Sequence, residues 1–282
     1  MGLVLVALVL AACDPLGSSG SSSTTTVSTA PPSTPGTTLP PVVECPGIGD
    51  FAEGGGIGEV KANGSDSTTL GRIGWETSDQ CETFRFEFES AEGAPATSPP
   101  ALRVGHIETF QVLRIEMDIE ATVVTDQLVE SGLVERLFVV TSLDGGMFAD
   151  LHLSQPAAAR VRVESSPAAL LVDLRPGLVP FTGTAAIDEM VVLVSPTDGG
   201  MTDATSNLIG YSRTFEANVL VTASQDGVMV TETHTTAADW VETWGEFRLP
   251  VTLPPGSVEV FVGEANPEDG SLRGVTITLT VS

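Results

Sequence analysis

Hydrophobic and polar residues alternate along most of the chain after residue 44. In the run Leu113–Val123, apolar side chains occupy the odd positions and mostly charged side chains occupy the even ones. The same period of two recurs over Phe84–Phe88 and over Val275–Ser282. Because a period of two places successive side chains on opposite faces, each run predicts a β-strand with one buried face and one solvated face.

Turn signals separate these runs and indicate how the strands connect. The signals are Asp144–Gly146, Asp198–Gly200, Asp226–Gly227 and Asp269–Gly270. Short amphipathic strands with frequent turns predict an all-β fold of antiparallel β-sandwiches. We expect two such domains, over residues 44–185 and 186–282, and one short helical piece within Asp126–Glu135.

The alternation also predicts which side chains point inward. Two strands of the second domain should each present one apolar face, formed by Phe215, Ala217, Val219 and Val221 and by Phe247, Leu249, Val251 and Leu253. Phe215 and Phe247 are therefore expected in the core, and residues 187–282 are expected to fold alone. His152 lies between Leu151 and Leu153, so it is expected on the opposite, more solvated face of its strand.

The first residues of the chain have a different pattern. Residues 2–12 are apolar and uncharged, and Cys13 follows directly. This run is shorter than the roughly 20 residues that span a bilayer, but it suits the hydrophobic region of a secretory signal. Leu10–Cys13 resembles a bacterial lipobox, which implies a signal peptide over residues 1–12 and a lipid anchor at Cys13 on the extracytoplasmic side of the cell membrane. A signal peptide without lipidation is the alternative, and no Lys or Arg precedes the apolar run as it usually does.

Residues 13–43 are expected to form a disordered linker. From residue 17 onward this segment is almost entirely Ser, Thr, Pro and Gly. Such a composition buries too little apolar surface to offset the entropy lost on ordering the chain. A linker placed after a lipidated cysteine would hold the folded body away from the membrane.

Cys45 and Cys81 remain once Cys13 is assigned to the anchor. Two cysteines in an exported protein most simply form a disulfide with each other. Two buried free thiols are the alternative. A zinc site is disfavoured because the pair has neither a CxxC spacing nor a histidine nearby.

The charge of the chain restricts its partners. Its 37 acidic and 12 basic residues give a net charge of −25, and both predicted domains are negative. Phosphate polyanions and anionic lipid surfaces would be repelled, so nucleic acid is not expected as a partner. Solubility of an exposed protein is a sufficient reason for this charge.

The C-terminal part resembles the immunoglobulin-like domain of bacterial spore-germination proteins. The residues that carry the resemblance follow one another in the family's order: Ser195–Pro196, Gly199, Gly210, Arg213, Phe215–Val219, Trp244–Phe247, Val258–Phe261 and Asp269–Ser271. The resemblance implies an immunoglobulin-like sandwich over residues 186–282. It also implies that Trp244 has a structural packing role.

Residues 44–185 more faintly resemble an AMIN-like domain, a β-sandwich module of envelope proteins. The similarity rests on Phe84–Phe88, Val139–Leu153 and Leu170–Leu174, whereas Gly54–Gly58 and Ala94–Ala101 depart from the pattern. The resemblance implies targeting to the cell wall or envelope.

No established catalytic motif occurs in the sequence. The three histidines, His106, His152 and His234, are far apart, and HExxH, GxSxG, SxxK and P-loop patterns are absent. Acidic residues such as Glu116 and Asp118 alternate along a strand, which is typical of a solvated face. Asn266–Gly270 has oxygen ligands suited to calcium but lacks the EF-hand spacing, so a turn is expected there.

Trp240 is the best candidate for contact with a ligand. It lies beside the polar run Thr231–Asp239, and an exposed indole ring can stack on a sugar. We therefore expect no catalytic residue, cofactor or metal site. The leading hypothesis is a lipid-anchored, non-catalytic adaptor that binds peptidoglycan or another envelope protein. The alternatives are a carboxylate-dependent hydrolase of wall glycan and a purely structural spacer.

Overall fold

The computed structural model describes residues 45, 49–62, 64–78, 81–107, 109–266 and 269–282, and these residues are folded almost entirely as β-strands. The expected signal peptide, Cys13 and the linker of residues 13–43 lie outside the described residues. The described part of the chain contains no apolar helix of membrane-spanning length.

Twenty strands run through the described residues. They are β1 (Gly56–Val60), β2 (Thr69–Ser78), β3 (Cys81–Glu89), β4 (Leu102–His106), β5 (Val112–Met117), β6 (Ala121–Thr122), β7 (Asp126–Leu128), β8 (Val134–Thr141), β9 (Met147–Leu153), β10 (Ala157–Glu164), β11 (Ala169–Pro176), β12 (Ala186–Ile187), β13 (Val191–Ser195), β14 (Met201–Thr202), β15 (Thr205–Ser212), β16 (Asn218–Gln225), β17 (Val228–Thr236), β18 (Trp244–Thr252), β19 (Gly256–Ala265) and β20 (Leu272–Val281). A single 3-10 turn, Phe215–Ala217, is the only helical element in this part of the chain.

The helix expected within Asp126–Glu135 is not formed. This segment instead folds back as a hairpin, in which β7 pairs antiparallel with β8 and Asp126 lies opposite Phe138. The Val129 N–H donates to the Glu135 carbonyl at 3.0 Å, which closes the turn. Pairing to an existing sheet satisfies the backbone groups that a short isolated helix would leave exposed.

The strands form three sheets. A ten-stranded central sheet has the order β1-β4-β5-β9-β8-β18-β15-β13-β12, with β7 paired to β8 off this path. A five-stranded first outer sheet has the order β10-β11-β3-β2-β6, and a five-stranded second outer sheet has the order β14-β20-β19-β16-β17. Nearly all pairs are antiparallel, so the all-β sandwich prediction is confirmed.

Two hydrophobic cores lie on the inner side of the central sheet. Side chains of the first outer sheet, such as Phe86 and Val172, pack with those of β4, β5, β8 and β9. Side chains of the second outer sheet, such as Val219 and Ile277, pack with those of β13, β15 and β18. Each outer sheet therefore covers one half of the central sheet, which continues through both sandwiches. The boundary between residues 185 and 186 stays a prediction.

The two halves of the central sheet join along a short parallel pairing of β8 with β18. Trp244 lies opposite Val140, and Gly245 lies opposite Thr141. The Thr243 hydroxyl also donates to the Val139 carbonyl at 2.6 Å. This junction is the feature that makes residues of both sandwiches neighbours.

A third buried cluster covers the outer face of the central sheet at this junction. Its members alternate with core residues along the same strands and are Phe138, Val140, Phe148, Val192, Val194, Tyr211 and Trp244. The ring centroids of Phe138 and Trp244 lie 4.9 Å apart, and those of Phe138 and Tyr211 lie 5.3 Å apart. The parts of β8, β9, β13 and β15 next to the junction are consequently buried on both faces.

His152 belongs to this buried region, so the expectation of a solvated position is wrong. Its side chain is fully buried, and its Nε2 lies 2.5 Å from the Tyr211 hydroxyl in a hydrogen bond. Burial, with the nearby Arg114 and Arg136 charges, lowers the pKa of His152 to about 3. The imidazole is therefore neutral at physiological pH. Alternation correctly separated the two faces of β9, but it carried no sign that the second face is covered.

The expected disulfide between Cys45 and Cys81 is confirmed. The bond joins the first described residue to the start of β3, with the two Cα atoms 5.4 Å apart. Closing a loop across a sequence separation of 36 residues stabilises the fold by about 4 kcal/mol on the chain-entropy estimate.

Two phenylalanines of the second sandwich provide a matched stability test. Phe247 is fully buried as expected, whereas Phe215 is 56% exposed. Phe247→Ala should lower the free energy of unfolding by about 3–5 kcal/mol because it opens a cavity in the core. Phe215→Ala should lower it by less than about 1 kcal/mol. Urea unfolding of both variants measures the difference, and equal losses would contradict the assigned orientations.

Candidate binding site

A loop between β17 and β18 presents Trp240 to solvent, and Asp239 organises this loop. One carboxylate oxygen of Asp239 accepts the backbone N–H groups of Trp240 at 2.6 Å, Val241 at 2.9 Å and Glu242 at 3.4 Å. Its other oxygen accepts the Thr243 N–H at 3.1 Å. The chain therefore wraps around a single carboxylate.

Asp239 carries a negative charge, which strengthens the hydrogen bonds that it accepts from the loop. Burial raises the pKa of Asp239, but the backbone N–H groups that point at the carboxylate lower it by more, so the pKa lies below its ordinary value. The carboxylate is thus ionised at neutral pH. Hydrogen bonds to an ionised acceptor are roughly twice as strong as neutral ones, which fixes the loop conformation.

The two ends of the loop are also fixed. The Ala238 N–H donates to the Glu246 carbonyl at 2.9 Å. A side chain at Gly245 would place its Cβ 2.1 Å from the Asp239 nitrogen, so only glycine allows the loop to cross β18 this closely. The loop is consequently held against β18, and the Thr141 hydroxyl of β8 also donates to an Asp239 carboxylate oxygen at 3.4 Å.

Phe215 reaches the same surface because a strained turn precedes β16. Glu216 and Ala217 have φ values of 54° and 58°, in the left-handed region that residues other than glycine seldom occupy. The turn is stabilised by the Phe215 N–H, which donates to a Glu264 carboxylate oxygen at 2.8 Å. The expectation that Phe215 points into the core is therefore wrong, since β16 begins only at Asn218 and the turn breaks the alternation.

Phe215 and Trp240 together form what we call the aromatic pair. Their ring centroids lie 5.5 Å apart at an interplanar angle of 71°, and Phe215 and Trp240 are 56% and 37% exposed. Val241 beside them is also exposed. Aromatic rings held on a fixed backbone lose little entropy when a ligand binds, and their faces suit the C–H groups of a sugar ring.

Trp244, four residues further on, has the structural role that was expected of it. It is 2% exposed and lies within the third buried cluster. Its indole N–H donates to an Asp126 carboxylate oxygen at 3.4 Å. Trp244 is therefore part of the junction and does not face the surface.

The three histidines are not brought together. His106 lies on β4, His152 on β9 and His234 on the exposed edge strand β17. The described residues contain no group of three His, Cys, Asp or Glu side chains placed to hold a metal ion. Burial lowers the pKa of His106, so this imidazole is also neutral at physiological pH.

The acidic residues singled out in the sequence mostly face solvent. Asp118 and Glu120 are exposed, and Glu116 forms an ion pair with Arg103. In the segment considered for calcium, the Gly270 N–H donates to the Asn266 carbonyl at 2.8 Å, as in a turn. Pro267 and Glu268 in this segment lie outside the described residues.

An open cleft on the outer face of the central sheet was not predicted from the sequence. It has a volume of about 850 Å³ and is lined by residues of β1, β4 and β5, of the turn between β8 and β9, and of β18. Residues of both sandwiches therefore line the cleft. No local sequence signal marks this cleft, because its residues meet only after β8 has paired with β18.

The role of Asp239 can be tested by Asp239→Ala, which removes the acceptor for all four N–H groups. We expect a loss of about 1–2 kcal/mol in the free energy of unfolding at neutral pH. A group whose pKa is depressed on folding stabilises above its unfolded pKa and ceases to do so as the pH falls through the folded value. The difference between wild type and variant should therefore shrink below about pH 3.8.

Urea unfolding between pH 2 and 7 measures this difference, and Glu242→Ala is the control. Glu242 lies in the same loop and is exposed, with only its backbone in contact with Asp239. Its replacement should change stability little at any pH. A loss of the same size in both variants would contradict the role of the Asp239 carboxylate.

Comparison with known proteins identifies one region. Residues 190–271, from β13 to the end of β19, match the Gmad2 family model, described as the immunoglobulin-like domain of bacterial spore germination. Neither the curated proteins nor the solved structures contain a match to the chain. The lipoprotein and AMIN-like resemblances stay predictions. The matched region includes both members of the aromatic pair, and an immunoglobulin-like domain of this kind suggests a non-catalytic binding or adaptor role.

Proposed function

We propose that this protein is a non-catalytic adaptor of the bacterial cell envelope that binds wall glycan through the aromatic pair. The observation that carries the proposal is the exposure of Phe215 and Trp240, 5.5 Å apart, on backbone segments that are held rigidly. Neither ring belongs to a buried hydrophobic cluster, so core packing does not account for the fixed support. A binding role accounts for both the exposure and the support.

A glycan ligand fits the chemistry around the aromatic pair. The apolar faces of sugar rings can stack on Phe215 and Trp240 without involving charge, so the net charge of −25 does not oppose this contact. The neighbouring Glu216 and Glu242 are exposed and can accept hydrogen bonds from sugar hydroxyls. A polyanionic ligand would meet these same carboxylates and be repelled.

The proposal places the protein on the extracytoplasmic side of the cell membrane, anchored by lipid at Cys13. Residues 17–43 then act as a tether, with a reach between roughly 30 Å as a flexible coil and about 80 Å as a fully polyproline-like chain. A tether of this length allows a membrane-anchored domain to meet the wall. An adaptor that links membrane and wall needs both the anchor and the glycan contact.

Binding to the wall is tested by pelleting the full chain with purified peptidoglycan. The chain carries Cys13→Ser so that lipid does not contribute, and pelleted protein and released sugar are measured separately. We expect pelleting without sugar release. Trp240→Ala and Phe215→Ala should each weaken binding about fivefold to tenfold, because each removes one stacking surface.

Leu178→Ala is the control for this experiment, because Leu178 is 90% exposed and lies outside the aromatic pair. It should pellet like the parent chain. Equal pelleting of all variants would assign wall binding to another surface. Sugar release that one carboxylate substitution abolishes would instead establish the alternative function, a glycan hydrolase.

The anchor is tested separately by following the full-length protein in a bacterial host. Cys13→Ser should release the protein into the medium or leave it as uncleaved precursor, because no thiol remains at residue 13 to carry the lipid. Ser18→Ala, a change in the linker, should fractionate like the parent. A processed Cys13→Ser variant that still sediments with membranes would contradict lipidation.

A further inference from the structure

The cleft on the outer face of the central sheet differs in charge from the rest of the molecule. Four of the 12 basic residues of the chain line it, together with only five of its 37 acidic residues. The basic residues are Lys61, Arg103, Arg114 and Arg248. Within a protein of net charge −25, the charges that line this cleft nearly balance, with one more acidic than basic residue.

Arg114 is the most firmly positioned of these four residues. Its Nε and one Nη donate to the two oxygens of Asp150 at 2.8 and 2.7 Å, and Asp150 is fully buried. The guanidinium carbon lies 3.8 Å from the centre of the Phe148 ring. Burial lowers the pKa of Arg114, but the adjacent Asp150 raises it by more, so the charge is retained.

One side of the Arg114 guanidinium remains open to a ligand. Asp150 occupies the edge formed by Nε and Nη2, and no described residue accepts a hydrogen bond from Nη1. The side chain is 17% exposed, and it lines the cleft. A guanidinium edge that is fixed in place and still has free donors is well suited to a carboxylate.

Three charged residues of the cleft, of both signs, have no ion-pair partner among the described residues. Lys61, Glu59 and Asp118 are exposed, and none forms an ion pair within the described residues. By contrast, Arg248 is held by Glu246 and Asp144. A ligand that complements these free groups carries a carboxylate and also N–H donors or an ammonium group. A uniformly anionic polymer or a phosphate would meet the free carboxylates.

The second sandwich completes the cleft through Glu246. This residue is 1% exposed, and its carboxylate accepts the Ser142 hydroxyl at 3.0 Å and the Leu143 N–H at 3.1 Å. The same carboxylate binds Arg248 at 2.8 Å. The turn between β8 and β9, which forms one wall, is thus held in place from β18.

From this geometry we propose that the cleft binds short peptides with a free terminal carboxylate. The carboxylate lies between Arg114 and Lys61, and the peptide N–H and ammonium groups face Glu59 and Asp118. The volume of about 850 Å³ accommodates a few residues. This site uses neither Phe215 nor Trp240, so it is separate from the proposed glycan contact.

The single lysine of the chain makes the cleft directly observable. Full-length protein with Cys13→Ser and ¹⁵N-labelled lysine gives one backbone amide signal, that of Lys61, because the chain has no other lysine. The probe is a mixture of unprotected tetrapeptides randomised at every position, followed by the same mixture with amidated C-termini and by inorganic phosphate. We expect the Lys61 signal to move with the unprotected mixture and to move at least about tenfold less with either of the others.

Variants are compared by equilibrium dialysis against the same unprotected mixture. Lys61→Gln should weaken retention of peptides about fivefold, and Arg114→Lys should weaken it further because the guanidinium fork is lost. Arg72→Gln is the control, since Arg72 is exposed on the first outer sheet, away from the cleft. Lys61 is exposed, so its substitution tests binding even if Arg114→Lys does not fold.

Three results would overturn the proposal. In the first, the Lys61 signal would stay unchanged with unprotected peptides at millimolar concentration. In a second, amidated peptides or phosphate would move it equally. In a third, Lys61→Gln would retain peptides as well as the Arg72→Gln control. Because no glycan is present in these measurements, their outcome is independent of wall binding by the aromatic pair.

Discussion

The parallel pairing of β8 with β18 is the interaction on which the rest of the molecule depends. It spans only Trp244 opposite Val140 and Gly245 opposite Thr141, yet it makes one sheet out of the inner halves of two sandwiches. Strands β9 and β15 are three positions apart in that sheet, about 14 Å at the usual spacing. Their side chains nevertheless meet, since His152 and Tyr211 are hydrogen-bonded. Side chains of the two sandwiches therefore pack together across the junction, where the third cluster is buried.

How much of the fold and of the candidate sites could be predicted depended on whether a local sequence pattern marks the feature. Alternation is local, and it correctly gave β3, β20 and the burial of Phe247. It was wrong in predicting one strand over Leu113–Val123, because β5 ends at Met117 and β6 belongs to the first outer sheet. It could not show that His152 is covered, because the covering residue Tyr211 comes from the other sandwich. The prediction that Phe215 is buried was wrong for another reason. Glu216 and Ala217 adopt the left-handed conformation and end the alternation, and neither is a glycine that would have marked the turn. Trp240 was found from its position beside the polar run Thr231–Asp239, whereas the cleft and Arg114 required the tertiary structure.

Solubility alone does not account for the acidic residues, because several of them hold the backbone or basic side chains in place. Glu82, Asp150, Asp173 and Glu246 are buried. Asp173 accepts hydrogen bonds from both Arg160 and Arg162, and Glu82 accepts the backbone N–H groups of Gly132 and Leu133. A buried carboxylate is tolerated only with such partners, and breaking one pair is more costly than the pair's net contribution. The low proportion of basic residues thus leaves few guanidinium groups that are not already committed to a structural carboxylate.

The disulfide at Cys45 also determines how the body would respond to mechanical load. A pulling force applied to the chain before Cys45 passes through the sulfur atoms to Cys81, at the start of β3. Within the first outer sheet, β3 lies between β11 and β2, so the force enters an interior strand instead of peeling an edge. Residues 49–60, including the edge strand β1, lie inside the covalent loop and carry none of that tension. The covalent link thus shields the peripheral part of the sandwich, and with it the β1 side of the cleft, from extension of the preceding chain.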